Sequence, residues 1–475
     1  MQTSRRFPSA MRLTALALAL VLSGCASLSP DGGSAPLDSL AKQHFQQGLK
    51  PQTSEQDRAA LEARVQELLA QPLSAQSAVQ LTLLRHQGLQ AQLQALGVAD
   101  AQRVQASQLP NPGLHFGRLQ RQGESGPAIE YERGFSLALS QWLTLPWRAQ
   151  LEQRRFEAQQ RQAAVNMLQL AAQTRKAFYQ AVAADQTLRY MKDALLAAEA
   201  GAELARRMKK AGNFNRLQQL REQSFLADAQ AGVLRAQAQQ VAAREQLLRQ
   251  LGLESDAAMR LPEQLPELPK ALPERTGLEQ QALNERLDVQ AAKAQTEALA
   301  RNLGLTRSTR LINVLELGYA HNSATAEPRQ TGYSVSLELP LFDWGGARVA
   351  QAQGLYMQSL HETAQLALEA RSEVREAHQN WQLAWQLARH QQQQALPLAR
   401  EISDENLLRY NGMFIGVFEL LADARNQISA VQNAIQAQRD FWLAQTDLDM
   451  ALLGRPSMSR MAAPSGAAPA AAGGH

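Results

Sequence analysis

The chain has 475 residues, of which 45% are hydrophobic, 19% charged and 5% aromatic, with one cysteine and a formal charge of +4. A single thiol excludes a disulfide scaffold. Basic residues alternate with acids along the chain and few aromatics accompany them, which excludes a nucleic-acid-binding surface.

Residues 1–24 read as a targeting segment. Arg5, Arg6 and Arg12 form a basic n-region, and Leu13 to Leu22 is an apolar h-region, shorter than the ~20 residues a bilayer span needs. Removing the segment takes away three positive charges and no acids, so the formal charge falls from +4 to +1. The LSGC string from Leu22 to Cys25 resembles a bacterial lipoprotein cleavage box. That resemblance implies an acylated Cys25 as the first mature residue, and Ala26, not Asp, implies sorting to the outer membrane.

Residues 25–71 form an N-terminal extension, an equatorial segment ahead of the repeats. A first repeat then spans 72–260: a helix at about 74–108, strands at about 111–122 and 130–142, a long helix at 146–211, and a helix at 214–250. The Pro-rich stretch at 261–274 is a linker. A second repeat covers 275–454, with a helix at about 276–305, strands at about 310–321 and 331–342, one uninterrupted helix at 345–411, and a helix at 416–453. The small-residue tail at 455–475 has no periodicity and reads as disordered. Each long helix would span roughly 100 Å, and the two shorter helices of each repeat, laid end to end, come to about the same length. Their Ala, Leu, Gln, Glu and Arg content suits closely packed, coiled-coil-like rods.

The repeats keep register. KKAGNFNRLQQL (Lys209 to Leu220) matches RYNGMFIGVFELL (Arg409 to Leu421) at an offset of about 200, pairing Gly212 with Gly412 and Phe214 with Phe414. The strand pairs carry the functional argument. In GYSVSLELPLF (Gly332 to Phe342), Tyr333, Val335, Leu337, Leu339 and Leu341 alternate with Ser334, Ser336 and Glu338. LINVLELGYAH (Leu311 to His321) sets Leu315, Leu317 and Tyr319 opposite Glu316 and Gly318. GFSLALSQW (Gly134 to Trp142) alternates likewise. Each segment has the ~9–11 residues of a tilted membrane strand, apolar outside and polar inside. Trp142, Trp147, Phe342 and Trp344 bracket one end of the apolar band, and Tyr131, Tyr319 and Tyr333 the other. On this reading Glu316, Glu338, Ser334 and Ser336 face a barrel lumen. Four strands cannot close a barrel, which needs about eight, and lipid does not tolerate an open edge, so several chains must build it. A core hairpin packed on helices would alternate in the same way.

At these residues the chain resembles the TolC-type outer-membrane factors, the exit ducts of tripartite efflux pumps and type I secretion systems. The likeness runs from about Pro72 to Gly454 and rests on PLSAQSAVQLTLLRHQGLQAQLQAL (Pro72 to Leu96), SQLPNPGL (Ser107 to Leu114) and LPLFDWGGAR (Leu339 to Arg348). It implies a mainly α fold with a small β part. Two repeats of long helices and two β-hairpins would form a homotrimeric outer-membrane β-barrel of twelve strands, continued by a periplasmic α-helical tunnel in a Gram-negative cell. It implies as partners a periplasmic adaptor and an inner-membrane pump. Adaptor-docking tips would fall at Gly212, Asn213 and Phe214 and at Gly412, Met413 and Phe414. The family's tip has Gly followed six residues later by an acid; here Glu419 comes seven after Gly412, and Asp423 follows one turn on. These acids, with Arg425 as basic neighbour, are the candidate periplasmic gate, and Gln219 and Gln223 are their neutral first-repeat counterparts.

Catalytic chemistry has no footing: there is no Walker-type loop and no HExxH, and the eight His residues are scattered, so no cofactor, metal site or enzymatic role is expected beyond lipid on Cys25. The competing reading is a periplasmic coiled-coil lipoprotein with a structural or adaptor role.

Overall fold

The computed structural model describes residues 27–51, 55–123, 126–255, 259–309, 315–324, 328–337 and 342–457. The targeting segment, Cys25, Glu338 and the tail from 458 lie outside them. Helices α1 (Ala35–Phe45) and α2 (Glu55–Leu69) precede the repeats. The first repeat holds α3 (Ala75–Arg85), α4 (Gln87–Ser107), β1 (Gly113–Gly123), β2 (Gly126–Ala138), α5 (Leu139–Lys210) and α6 (Arg216–Leu251). The second holds α7 (Leu278–Glu285), α8 (Leu287–Ser308), β3 (Leu315–Ala324), β4 (Gln330–Leu337), α9 (Gly346–His390), a π turn at Gln391–Ala395, α10 (Leu396–Asn411) and α11 (Val417–Leu453). The mainly helical architecture with two repeats and a small β part is the expected one.

Three local expectations are corrected. Each repeat's first helix is two helices, because His86 and Arg286 adopt extended ψ angles of 109° and 122°. His86 accepts the Leu89 N–H on Nδ1 at 3.2 Å and so caps α4; burial pushes its imidazole below the ordinary value, keeping that nitrogen an acceptor. Arg286, fully buried, is held by Asp288 at 2.7 Å and Glu373 at 2.8 Å. Second, β2 ends at Ala138 and α5 begins at Leu139, seven residues before Pro146. The first copy lacks the turn found in the second, where Gly345 takes φ +72° and its N–H bonds to Asp343 Oδ1 at 2.8 Å. Without that turn, helix follows strand directly. Third, the run 345–411 is not one α-helix. Pro397 has no N–H to offer the Gln393 carbonyl, and a π turn just before it, with Leu396 N–H bonded to the Gln391 carbonyl, absorbs one residue.

The described residues form two compact units. The first takes in 27–36, Leu93–Gln162 and Gln290–Leu366, and so contains the sheet. Its four antiparallel strands lie in the order β1-β2-β3-β4. Its N-terminal segment is clasped to helices: the Ser29 N–H bonds to buried Asp100 Oδ2 at 2.7 Å, Arg103 pairs with Asp100 at 2.6 Å, and Gln160 Nε2 reaches the Gly33 carbonyl at 2.7 Å.

The second unit takes in Leu37–Gln92, Ala163–Val289 and 367–457. One core joins Val65 and Leu69 of α2 to Phe178 and Val182 of α5, Leu247 of α6 and Ile435 of α11. Another packs Trp381, Ala384 and Ala388 of α9 on Phe441 and Leu448 of α11. Small alanines beside fully buried Trp381 and Phe441 let the helices approach closely. The linker is strapped to these helices, with Trp385 Nε1 bonded to the Pro269 carbonyl at 2.9 Å and Trp442 Nε1 to that of Pro266 at 3.0 Å.

Candidate channel face and helical tips

The sheet sorts its side chains by register. Leu114, Phe135, Tyr319 and Tyr333 stand directly opposite one another across the four strands, and Leu137, Leu317 and Val335 form the next row of the same face. This face is exposed, Tyr333 to 84% and Val335 to 68%. Rows of the other face are small or polar: Gly113, Ser136, Gly318 and Ser334, then Ala138, Glu316 and Ser336. Glu316, Ser334 and Ser336, the candidate lumen residues, therefore share a face. His115 and Glu132, 3.7 Å apart, also stand on it. A Cβ at Gly318 would meet Ser334 Oγ at 2.3 Å, so a larger residue there would force the serine hydroxyl to turn away. Trp142, Trp147, Phe342 and Trp344 are all exposed. Strands β1 and β4 are the two edges, and neither has a second partner among the described residues.

The two tips differ. After α5, Gly212 takes the left-handed φ of +82°, and the Asn213 N–H bonds to the Met208 carbonyl at 2.9 Å. Phe214 is buried against Ala205, Met208 and Tyr410, and Asn215 caps α6 in a reciprocal box with Gln218. After α10 the left-handed residue is Met413, at φ +60°, and the Phe414 N–H bonds to the Arg409 carbonyl at 2.9 Å. Gly412 itself has φ −80°. The second turn thus comes one residue late, and Met413 and Phe414 stand 92% and 84% exposed. Of the six tip candidates, Phe214 is the one buried.

That slip resolves the spacing oddity, because Glu419 lies six residues after the left-handed position. It also corrects the assignment of counterparts. Helices α6 and α11 begin at Arg216 and Val417, 201 apart, so Asp423 corresponds to Glu222 and not to Gln223. Glu222 is the site residue that a fixed offset of 200 missed. Glu222 and Asp423 are both buried, whereas Glu419 is exposed. Arg425 Nη2 donates to Glu222 Oε1 at 3.0 Å, and its guanidinium lies 4.5 Å from the centre of the Phe225 ring. Among the described residues Glu222 Oε2, Asp423 Oδ2 and Arg425 Nε are buried without a hydrogen-bond partner.

No protein-family model matches the chain, and comparison with curated protein sequences finds no match. Solved structures do match. A membrane protein from Pseudomonas aeruginosa aligns with a TM-score of 0.70 at 19% identity over 80% of this chain and 93% of its own. The MtrE outer membrane channel of Neisseria gonorrhoeae, in its open state, gives 0.66 at 19% over 83% and 91%. The outer membrane protein VceC of Vibrio cholerae gives 0.63 at 16% over 84% and 97%. The fold is that of the TolC-like outer-membrane channels, as the sequence resemblance implied.

Proposed function

We propose that the protein is the outer-membrane channel of a tripartite efflux or secretion system, a passive duct that is not an enzyme. One observation carries the reading: a four-stranded sheet with an apolar exposed face, a small and polar opposite face, and two open edges. In water such a face is a liability, and in lipid it is a barrel wall lacking its neighbours. No described helix is long and apolar enough to cross a membrane. Closure into twelve strands takes three copies, with β4 of one chain meeting β1 of the next. Glu316, Ser334 and Ser336 line the lumen. Lipid on Cys25 adds a second anchor, attached two residues before the segment clasped by Asp100 and Arg103. Met413 and Phe414 are the apolar contacts offered to a periplasmic adaptor, and Glu419 and Asp423 belong to the gate. Substrate choice lies with the pump.

Native mass spectrometry of the detergent-extracted full-length protein, with planar-bilayer recording of the same preparation, tests the reading. A trimer that opens ion-conducting pores is expected. A stable monomer with no conductance would overturn it.

A further inference from the structure

The first repeat has a seat that recurs in the second without its occupant. In the first, the end of α1 meets both α3 and α5. Gln76 and Gln80 of α3 each donate to the Phe45 carbonyl, at 2.8 and 2.9 Å, and the Arg175 guanidinium of α5 lies 5.6 Å from the centre of the Phe45 ring. Phe45 is 4% exposed and lines one hollow with Leu168, Ala171 and Ala172 of α5.

The equivalent groove lies between α7 and α9. The breaks at His86 and Arg286, like the tip glycines Gly212 and Gly412, set the offset of these helices at 200. Gln80 and Arg175 are kept, as Gln280 and Arg375. Linker residues Leu268 and Leu272 pack on the core of Leu278 and Trp381, as Val65 and Leu69 of α2 do on that of Ala78 and Phe178. Nothing among the described residues takes the place of Phe45: Arg375 is 63% exposed, and the groove opens as a cavity of about 440 Å³.

The second seat differs in charge. Ala75 and Ala171 become Arg275 and Arg371, both on the cavity wall, while buried Leu81 and Phe178 become exposed Gln281 and half-buried His378. Three arginines thus stand against one acid on that wall, Glu279, which is 3.7 Å from Arg375. Arg275 pairs with Asp449 at 3.2 Å, and Arg371 has no hydrogen bond or ion pair among the described residues. The acids Glu369 and Glu373 on the flank of α9 are paired with Arg455. In the first seat Arg175 meets a neutral neighbour, because burial first and the Arg175 charge second push the His44 imidazole below its ordinary value. With guanidiniums left unmatched, the same position in the second seat suits a carboxylate.

We propose that the groove between α7 and α9 docks an acidic segment of a second protein, with an aromatic ring against Arg375, a backbone carbonyl for Gln280 and carboxylates for Arg371 and Arg275. Residues 458–475 do not supply it, since they hold no acid and no ring besides His475. The α1 of another copy does not supply it either, being seated in its own first repeat. The seat adds a partner to the duct reading without resting on it.

The test uses a fluorescein-labelled peptide copying residues 35–49, with Lys42→Glu and His44→Glu, titrated with the detergent-extracted full-length protein and read by anisotropy. Saturable binding is expected, roughly tenfold or more tighter than that of the unaltered 35–49 peptide. Arg371→Glu combined with Arg375→Glu should reverse this preference, a result that a misfolded variant would not give. Gln280→Ala should weaken both peptides alike. No saturable binding to the parent protein would overturn the seat, as would equal binding of the acidic peptide to the parent and the double variant. An unchanged affinity in Gln280→Ala, or displacement by an oligoglutamate of the same length as effective as the acidic peptide itself, would reduce the groove to a charged patch and overturn the peptide fit.

Discussion

Arg425→Ala isolates what the buried carboxylates near the tip require. The substitution removes the 3.0 Å bond to Glu222, whose side chain is 1% exposed, and the contact with Phe225. Breaking a fully buried pair from one side costs about 3–5 kcal/mol, since the remaining charge is uncompensated. Arg425 is 32% exposed, so water already screens part of the interaction and the cost falls below that range. A cost of about 2–3 kcal/mol corresponds to roughly 30- to 150-fold in a local opening equilibrium. Amide hydrogen exchange of the detergent-solubilised oligomer reads this directly, in the peptides containing Glu222 and Arg425. Peptides of the sheet serve as the internal reference. Replacing both partners with methionine should bring exchange back to within about tenfold of the parent, because a desolvated charge no longer has to be buried. Unchanged exchange in Arg425→Ala would refute the reasoning. So would a double variant that exchanges as fast as the single one, which would make packing, not charge, the decisive loss.

At the tips, Met413→Gly should slow local exchange by a factor reflecting about 1 kcal/mol of relieved left-handed strain, while Met413→Gly with Phe414→Ala should weaken adaptor capture in pull-down. Phe214→Ala should instead loosen the first tip, as loss of a buried aromatic does. Burial works to raise the Asp100 carboxyl, but hydrogen bonds from Ser29 and Arg103 hold it below its ordinary value, so its contribution is present above about pH 4 and lost as pH falls through the folded value. Limited proteolysis should find residues 27–34 protected at pH 7 and released in strong acid, and Asp100→Asn should release them at pH 7. Ala at both Glu419 and Asp423 should relieve divalent-cation block in bilayer recordings, with Gln218→Ala as the uncharged control; equal block in all three proteins would place the constriction elsewhere. Glu316→Lys should shift the reversal potential in a salt gradient towards anions, and an unchanged potential would remove Glu316 from the lumen.

Much was legible in the sequence because it is written in local periods. Alternation of two placed Tyr319, Tyr333 and Val335 on one face and Ser334 and Ser336 on the other, and the 200-residue recurrence marked both helical tips. Both signals are read along the chain, without knowing which segments pack together. Other features turned on packing across long separations. Gly412 is the residue that local propensity would choose for the left-handed turn, yet Met413 occupies it. Counterparts downstream shifted by one residue, and Glu222 replaced Gln223 as the first-repeat equivalent of Asp423. Pro397 is visible in the chain, but that it is accommodated by a π turn at Gln391–Ala395 and not by a break in the helix appears only in the folded structure. Arg425 and Glu222 stand 203 residues apart, and no local rule pairs them. Short-range alternation determined which surfaces exist; burial of charge and the close packing of helices, which act only once the chain is folded, decided which residues meet on them.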